Sequence, residues 1–163
     1  MDTAQRAFVW TERRPVIHIG PRPGKKSVAT LSELNLTHCC TLLSEREDVQ
    51  PIRKICQKIG CEWVWLPIEG GHLDTLKETD VAKLVDALSG ALAEMPQPRL
   101  YIHCSAGIHR TGFFATILLR LCGLSAADAR AELARIRPVT AEQVGEDRLA
   151  LADEVADRLL KAR

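Results

Sequence analysis

The sequence predicts an α/β fold of three layers, with a mostly parallel central sheet of four to five strands flanked by helices, and three observations lead there. Short apolar runs at 16–19, 38–43, 61–66 and 100–102 have the length and residue types of strands. The segments between and after them repeat their apolar residues at helical spacing. Strands and helices that alternate in this way imply crossover helices covering both faces of a parallel sheet. At 163 residues the chain suits one domain with a single substantial core, expected to span 1–163 with 1–14 as an N-terminal arm.

Residues 1–14 mix Phe8 and Trp10 with Arg6, Glu12, Arg13 and Arg14, a pattern for a packed arm or an edge strand. The strand Val16-Ile17-His18-Ile19 stops at Gly20-Pro21-Arg22-Pro23-Gly24, where glycine and proline punctuate a loop. Ser27 is placed to cap a short helix carrying Val28, Leu31 and Leu34, and Asn35 tolerates the left-handed conformation that would end it. His38 to Leu43 reads as a buried strand whose adjacent Cys39 and Cys40 point to opposite faces. Val49, Ile52, Ile55, Cys56 and Ile59 form one helical face, with Pro51 tolerated in the first turn and Gly60 closing the helix. Cys61 to Leu66 returns to a strand with Trp63 and Trp65 on one side, read as packing.

Pro67-Ile68-Glu69-Gly70-Gly71-His72-Leu73-Asp74 is an irregular loop with two carboxylates. Thr79 is expected to cap a helix with Val81, Leu84, Val85, Leu88 and Leu92 inward, ended by Pro96 and Pro98. After the last strand, an apolar helical segment runs from Phe113 to Cys122 and stops at Gly123. Ser125 with Asp128 makes a capping pair for a helix to Arg137-Pro138, and Thr140 with Gln143 reads as the same device. From Gly145 a final helix turns Leu149, Ala152, Val155 and Leu159 to the core.

The chemistry concentrates in Leu100-Tyr101-Ile102-His103-Cys104-Ser105-Ala106-Gly107-Ile108-His109-Arg110-Thr111-Gly112. A strand ends in a cysteine, and a short loop delivers an arginine at the start of a helix. Loop amides, the free N–H groups of the first helical turn and the helix dipole together favour an anion in that concavity. A thiol at its floor should fall from about 8.5 into the range of roughly 3.5–7.5, so Cys104 is expected to be a thiolate at neutral pH. Arg110 offers a planar fork for two oxygens of one phosphate. Gly107 allows a tight turn or a close approach. Ser105 or Thr111 could hydrogen-bond the sulfur, and Thr111 could assist its departure.

His103-Cys104-x5-Arg110-Thr111 resembles the signature of the cysteine-dependent protein tyrosine phosphatases, and the short chain is similar to their compact dual-specificity branch. The resemblance implies the fold of that branch and a hydrolase that forms a phosphocysteine on Cys104. Phosphate would be gripped by Ser105, Ala106, Gly107, Ile108, His109 and Arg110, and an acidic residue from an earlier loop would donate a proton. His103 resembles the residue that orders the reactive loop. It is not expected to be a base, because a thiolate formed by amides needs none. Relatives place an aspartate in the loop after the third strand, whereas here Glu69 stands at the aligned position and Asp74 lies five residues later. Either could serve; Glu69 is favoured because it follows the strand end and Gly70-Gly71 behind it could hinge.

His109 could touch substrate or solvate the rim, and Arg22, Lys25 and Lys26 could attract an acidic substrate or form a solvated turn. His18, His38 and His72 have no ligand spacing, and neither a metal nor a cofactor is expected. The expected substrate is a phosphorylated protein or peptide carrying phosphotyrosine, with phosphoserine and phosphothreonine admitted if the cleft is shallow. A net charge of +1 gives no general pull toward nucleic acid or membrane. Six cysteines without a CxxC pair, and no secretory leader, favour reduced thiols and a cytoplasmic location. The alternatives are an RNA 5′-phosphatase, a phosphoinositide phosphatase, a sulfurtransferase and a phosphate-binding module without catalysis. Arg110-Thr111 argues against sulfur transfer, and intact Cys104 and Arg110 argue against lost catalysis.

Overall fold

The computed structural model describes residues 8–162, so the first seven residues of the arm expected over 1–14 lie outside the described residues. Its strands are β1 (Val16–Gly20), β2 (His38–Thr41), β3 (Glu62–Trp65) and β4 (Arg99–His103). Its helices are α1 (Val28–Ser32), α2 (Gln50–Ile59), α3 (Leu73–Lys77), α4 (Val81–Leu92), α5 (His109–Leu121), α6 (Ala126–Ile136), α7 (Pro138–Gln143) and α8 (Glu146–Lys161).

The sheet has four strands among the described residues, in the order β1-β4-β2-β3, and every pairing is parallel. Among the described residues the segment before β1 forms no edge strand: Phe8–Glu12 is a single π-helical turn, with Trp10 fully buried and its indole N–H donating to Ser89 Oγ at 2.9 Å. Because all strands run the same way, their carboxyl ends share one edge. His103 there is in register with both Gly20 and Thr41, and Thr41 in turn with Trp65.

Two apolar layers cover the two faces. On the larger side, Ile17, Ile19, Cys40, Leu100 and Ile102 meet Leu84, Leu88, Phe113, Ile117, Leu133 and Ala152 from four helices. The smaller side joins Cys39 and Tyr101 to Leu31, Leu43, Ile52 and Cys56 from α1, α2 and the loop between β2 and α2. Cys39 and Cys40 do part to opposite faces, as the strand period requires. Helix α5 is buried along nearly its whole length, which seats the first turn beneath the reactive loop on a rigid element.

Three expected caps differ in detail. Ser27 precedes α1 but makes no cap bond; its Oγ instead accepts from the Gly24 amide at 3.1 Å. The cap of α4 is Asp80, whose carboxylate accepts from the Lys83 amide, while the Thr79 hydroxyl turns back to the Thr75 carbonyl. Thr140 and Gln143 make no capping pair, because Thr140 lies inside α7. Ser125 does cap α6, Gly60 closes α2 at φ +80°, and Asn35 takes φ +54°.

Candidate active site

Cys104 follows β4 directly and is 3% exposed. The chain then turns through Gly107 at φ +72°, a conformation that a side chain disfavours and where a Cβ would also overlap the Gly20 carbonyl. Helix α5 begins at His109, earlier than the apolar run indicated, so Arg110 and Thr111 stand in its first turn. There the Thr111 hydroxyl donates to Cys104 Sγ at 3.1 Å. Ser105, the other candidate, is exposed. Burial by itself would raise the Cys104 pKa. The Thr111 hydroxyl, the amides of Thr111 and Ile108 and the charge of Arg110 outweigh it and hold the thiol below its ordinary value.

The carbonyls of Ser105, Ala106 and Gly107 are held from outside the loop, while the amides of Ile108 and Thr111 turn to Cys104. Arg137 Nη1 donates to the Ala106 carbonyl at 3.0 Å and to the Gly107 carbonyl at 2.9 Å. Thr140 Oγ1 donates to the same Gly107 carbonyl at 2.6 Å. The Arg22 amide donates to the Ser105 carbonyl at 2.9 Å. The role of Thr140 thus replaces the expected helix cap, and neither it nor Arg137 carries a local sequence signal, being some 30 residues from the loop.

Arg110 is 9% exposed and meets Glu47 in a two-pronged pair, Nη1 to Oε1 at 2.7 Å and Nη2 to Oε2 at 3.3 Å. Its Nη1 also donates to the Ile68 carbonyl at 3.2 Å. Of the five N–H groups of a guanidinium, three are thereby engaged, leaving Nε–H and one Nη2–H for a ligand. Those two lie on one edge of the fork, the arrangement that grips two phosphate oxygens. The Arg110 hydrogen bond holds the Glu47 carboxyl at about 2, far below the usual carboxylate range. Glu47 was not legible beforehand: it sits in the unpatterned charged run Glu45-Arg46-Glu47-Asp48.

His103 is fully buried, and burial pushes its pKa down to about 4. Its Nδ1 lies 2.9 Å from the Cys104 carbonyl, which can only accept, so the ring proton is on Nδ1. Nε2 must then accept from Thr41 Oγ1 at 2.7 Å, and that oxygen receives the Trp63 indole N–H at 2.8 Å. The chain Trp63 to Thr41 to His103 to the Cys104 carbonyl fixes the start of the loop from below. Trp63 therefore does more than pack against Trp65, to which it is stacked at 5.8 Å.

The second loop runs beside this one. Ile68 is fully buried and its carbonyl accepts from Arg110; Glu69, the next residue, is half-exposed and paired with Arg46. Arg148 Nε donates to the Gly71 carbonyl at 2.7 Å, and a Cβ on Gly71 would press on His109 Cβ. Asp74 is exposed in the first turn of α3. His109 and His72 are exposed near this seam, and His109 is held below its ordinary pKa by partial burial and the Arg148 charge.

Comparison with known proteins places this geometry. The fold matches PP-IP phosphatase SIW14 from S. cerevisiae (23% identity, 86% of this chain and 78% of that one, TM-score 0.58). It matches PTPMT1, solved in complex with PI(5)P, with 21% identity over 90% and 94% of the two chains and a TM-score of 0.62. P. aeruginosa TpbA, solved in complex with pTyr, aligns at 22% identity over 86% of each chain with a TM-score of 0.52. No curated protein sequence matches the chain. Residues 22–162 match the profile described as the tyrosine phosphatase family. With its strand-loop-helix site and its sequence matching that profile from the β1 loop to the end of α8, the chain belongs to the tyrosine phosphatase family.

Proposed function

We propose that the protein hydrolyses phosphate monoesters through a phosphocysteine on Cys104, with phosphotyrosine in proteins as the main substrate and phosphoserine or phosphothreonine as lesser ones. The observation that carries this reading is the Cys104 thiol, held below its ordinary pKa and bonded by Thr111, beside an Arg110 fork with two donors to spare. In the first step the sulfur attacks phosphorus, the bond to the leaving oxygen breaks, and that oxygen takes a proton from Glu69. In the second, water attacks phosphorus, the Glu69 carboxylate takes a water proton, and the sulfur leaves as thiolate while Thr111 donates to it. Arg110 and the amides of Ser105 to Arg110 hold the non-bridging oxygens throughout. Glu47 keeps the fork oriented, and His103 keeps the loop start in place. For Glu69 to act, its carboxylate must exchange Arg46 for the leaving oxygen, and the backbone freedom of the neighbouring Gly70 lets the segment shift with it.

The test is rapid acid quench of turnover on a phosphotyrosine peptide, followed by mass mapping. An increment of one phosphoryl group on the Cys104 peptide is expected, with turnover of Cys104→Ser at background while phosphate still binds. Substantial turnover by Cys104→Ser would overturn the covalent route. Rates on phosphotyrosine peptide, phosphothreonine peptide, phosphoinositide and 5′-triphosphate RNA rank the substrate classes.

A further inference from the structure

Beside the reaction loop lies a groove of about 690 Å³ between the start of α1 and one face of α2. Its walls carry Lys25, Lys54 and Lys58, with Val28, Pro51 and Ile55 between them. Positions 51, 54, 55 and 58 fall on one face of α2 by the helical period, so the two α2 lysines project along the groove together. All three lysines are exposed, and among the described residues none is in an ion pair. The one carboxylate in the wall, Asp48, already accepts from the Gln50 amide at 3.2 Å. The groove is therefore a basic channel with an apolar floor in a chain whose net charge is only +1.

Its position ties it to the site. The segment that supplies Lys25 is anchored to the reactive loop through the Arg22 amide on Ser105, and the Arg22 guanidinium donates to the Asp48 carbonyl. Glu47, one residue before Asp48, holds Arg110. One short loop thus presents Glu47 to the phosphate-binding arginine and Asp48 to the groove, which joins the groove to the site on this side. Lys26 does not share it: that side chain lines a separate depression with Tyr101 and Arg137.

We propose that this groove binds an acidic polypeptide segment flanking the phosphorylated residue of a protein substrate. The proposal rests on the protein-phosphatase reading above. A peptide fits better than a membrane surface, because the one large apolar side chain exposed among the described residues, Val16, stands at the opposite, amino-terminal edge of the sheet. Apolar floor and spaced lysines suit alternating side chains of an extended acidic segment.

The test compares two phosphotyrosine peptides, one with Asp and Glu on both flanks and one with Asn and Gln, on the full chain and on Lys54→Glu/Lys58→Glu. The readout is the ratio of kcat/KM between the peptides within each enzyme, which cancels any general effect of the substitutions. The wild type should favour the acidic peptide roughly three- to tenfold at low salt, as expected for a few exposed ion pairs, and high salt should erase the preference. The variant should lose or invert it. If the neutral peptide is hydrolysed but the wild-type ratio is near one, or the variant keeps the ratio, the groove proposal alone is overturned. If neither peptide is hydrolysed while an inositol polyphosphate is, the protein-substrate reading falls and the proposal with it.

Discussion

The loop carrying Cys104 and the loop carrying Glu69 leave the same edge of one sheet and both contain glycine, yet they are held very differently. The first is fixed from every side: His103 and Thr111 from its two ends, Arg137 from the junction of α6 and α7, Thr140 from α7, and the Arg22 amide from the β1 loop. The second is held at Ile68, which is buried and bonded through both its amide and its carbonyl, and at the Gly71 carbonyl, while its carboxylate is turned to an exposed arginine. An oxyanion site works by dipoles already in place, so every outward carbonyl is tied down. A proton donor must approach one oxygen and later receive a proton from another, so its side chain is left with freedom.

The strongest way to break this contrast is to remove the donor. Glu69→Gln should slow an aryl phosphate with a poor leaving group by about 10²–10⁴-fold while barely affecting one with a good leaving group. Asp74→Asn should leave both nearly unchanged. If Asp74→Asn alone shows the selective loss, the donor is Asp74, and the contrast between the two loops then extends onto α3.

A smaller effect follows from untying the rigid loop. Arg137→Ala removes donors to two loop carbonyls and should cost roughly tenfold in kcat/KM. Because the phosphate site itself loosens, good and poor leaving groups should suffer equally and inorganic phosphate should bind less well. A loss confined to the poor leaving group would show that Arg137 acts on the donor loop instead.

Least is expected from Arg148→Ala, which frees the Gly71 carbonyl. One lost hydrogen bond corresponds to roughly two- to tenfold, and it should appear only with the poor leaving group. An equal loss on both leaving groups would erase the distinction between the loops.

Much of the first loop was readable because its chemistry is local. Cys104, Gly107, Arg110 and Thr111 lie within one strand-turn-helix passage, and the thiol, the φ above zero, the fork and the hydroxyl each follow from the residue type in that passage. Its supports were not readable. Glu47, Thr41 and Trp63 reach it from other strands and loops, and Thr140 has the local pattern of a helix cap, which hid a hydroxyl aimed at Gly107. The start of α4 went the same way: the sequence put its cap at Thr79, and only the actual turn brings the next residue's carboxylate, Asp80, to the Lys83 amide.

By itself the sequence determined the alternation of strands and helices, the parallel sheet and the place of the reactive cysteine at a strand's carboxyl end, because periodicity and residue chemistry act over a few neighbours. Only the tertiary structure decided the strand order β1-β4-β2-β3, the pairing of Arg110 with Glu47, and which lysines share a groove. Those depend on which distant segments the two apolar layers bring together. That packing is a property of the whole core, and no single stretch of chain encodes it.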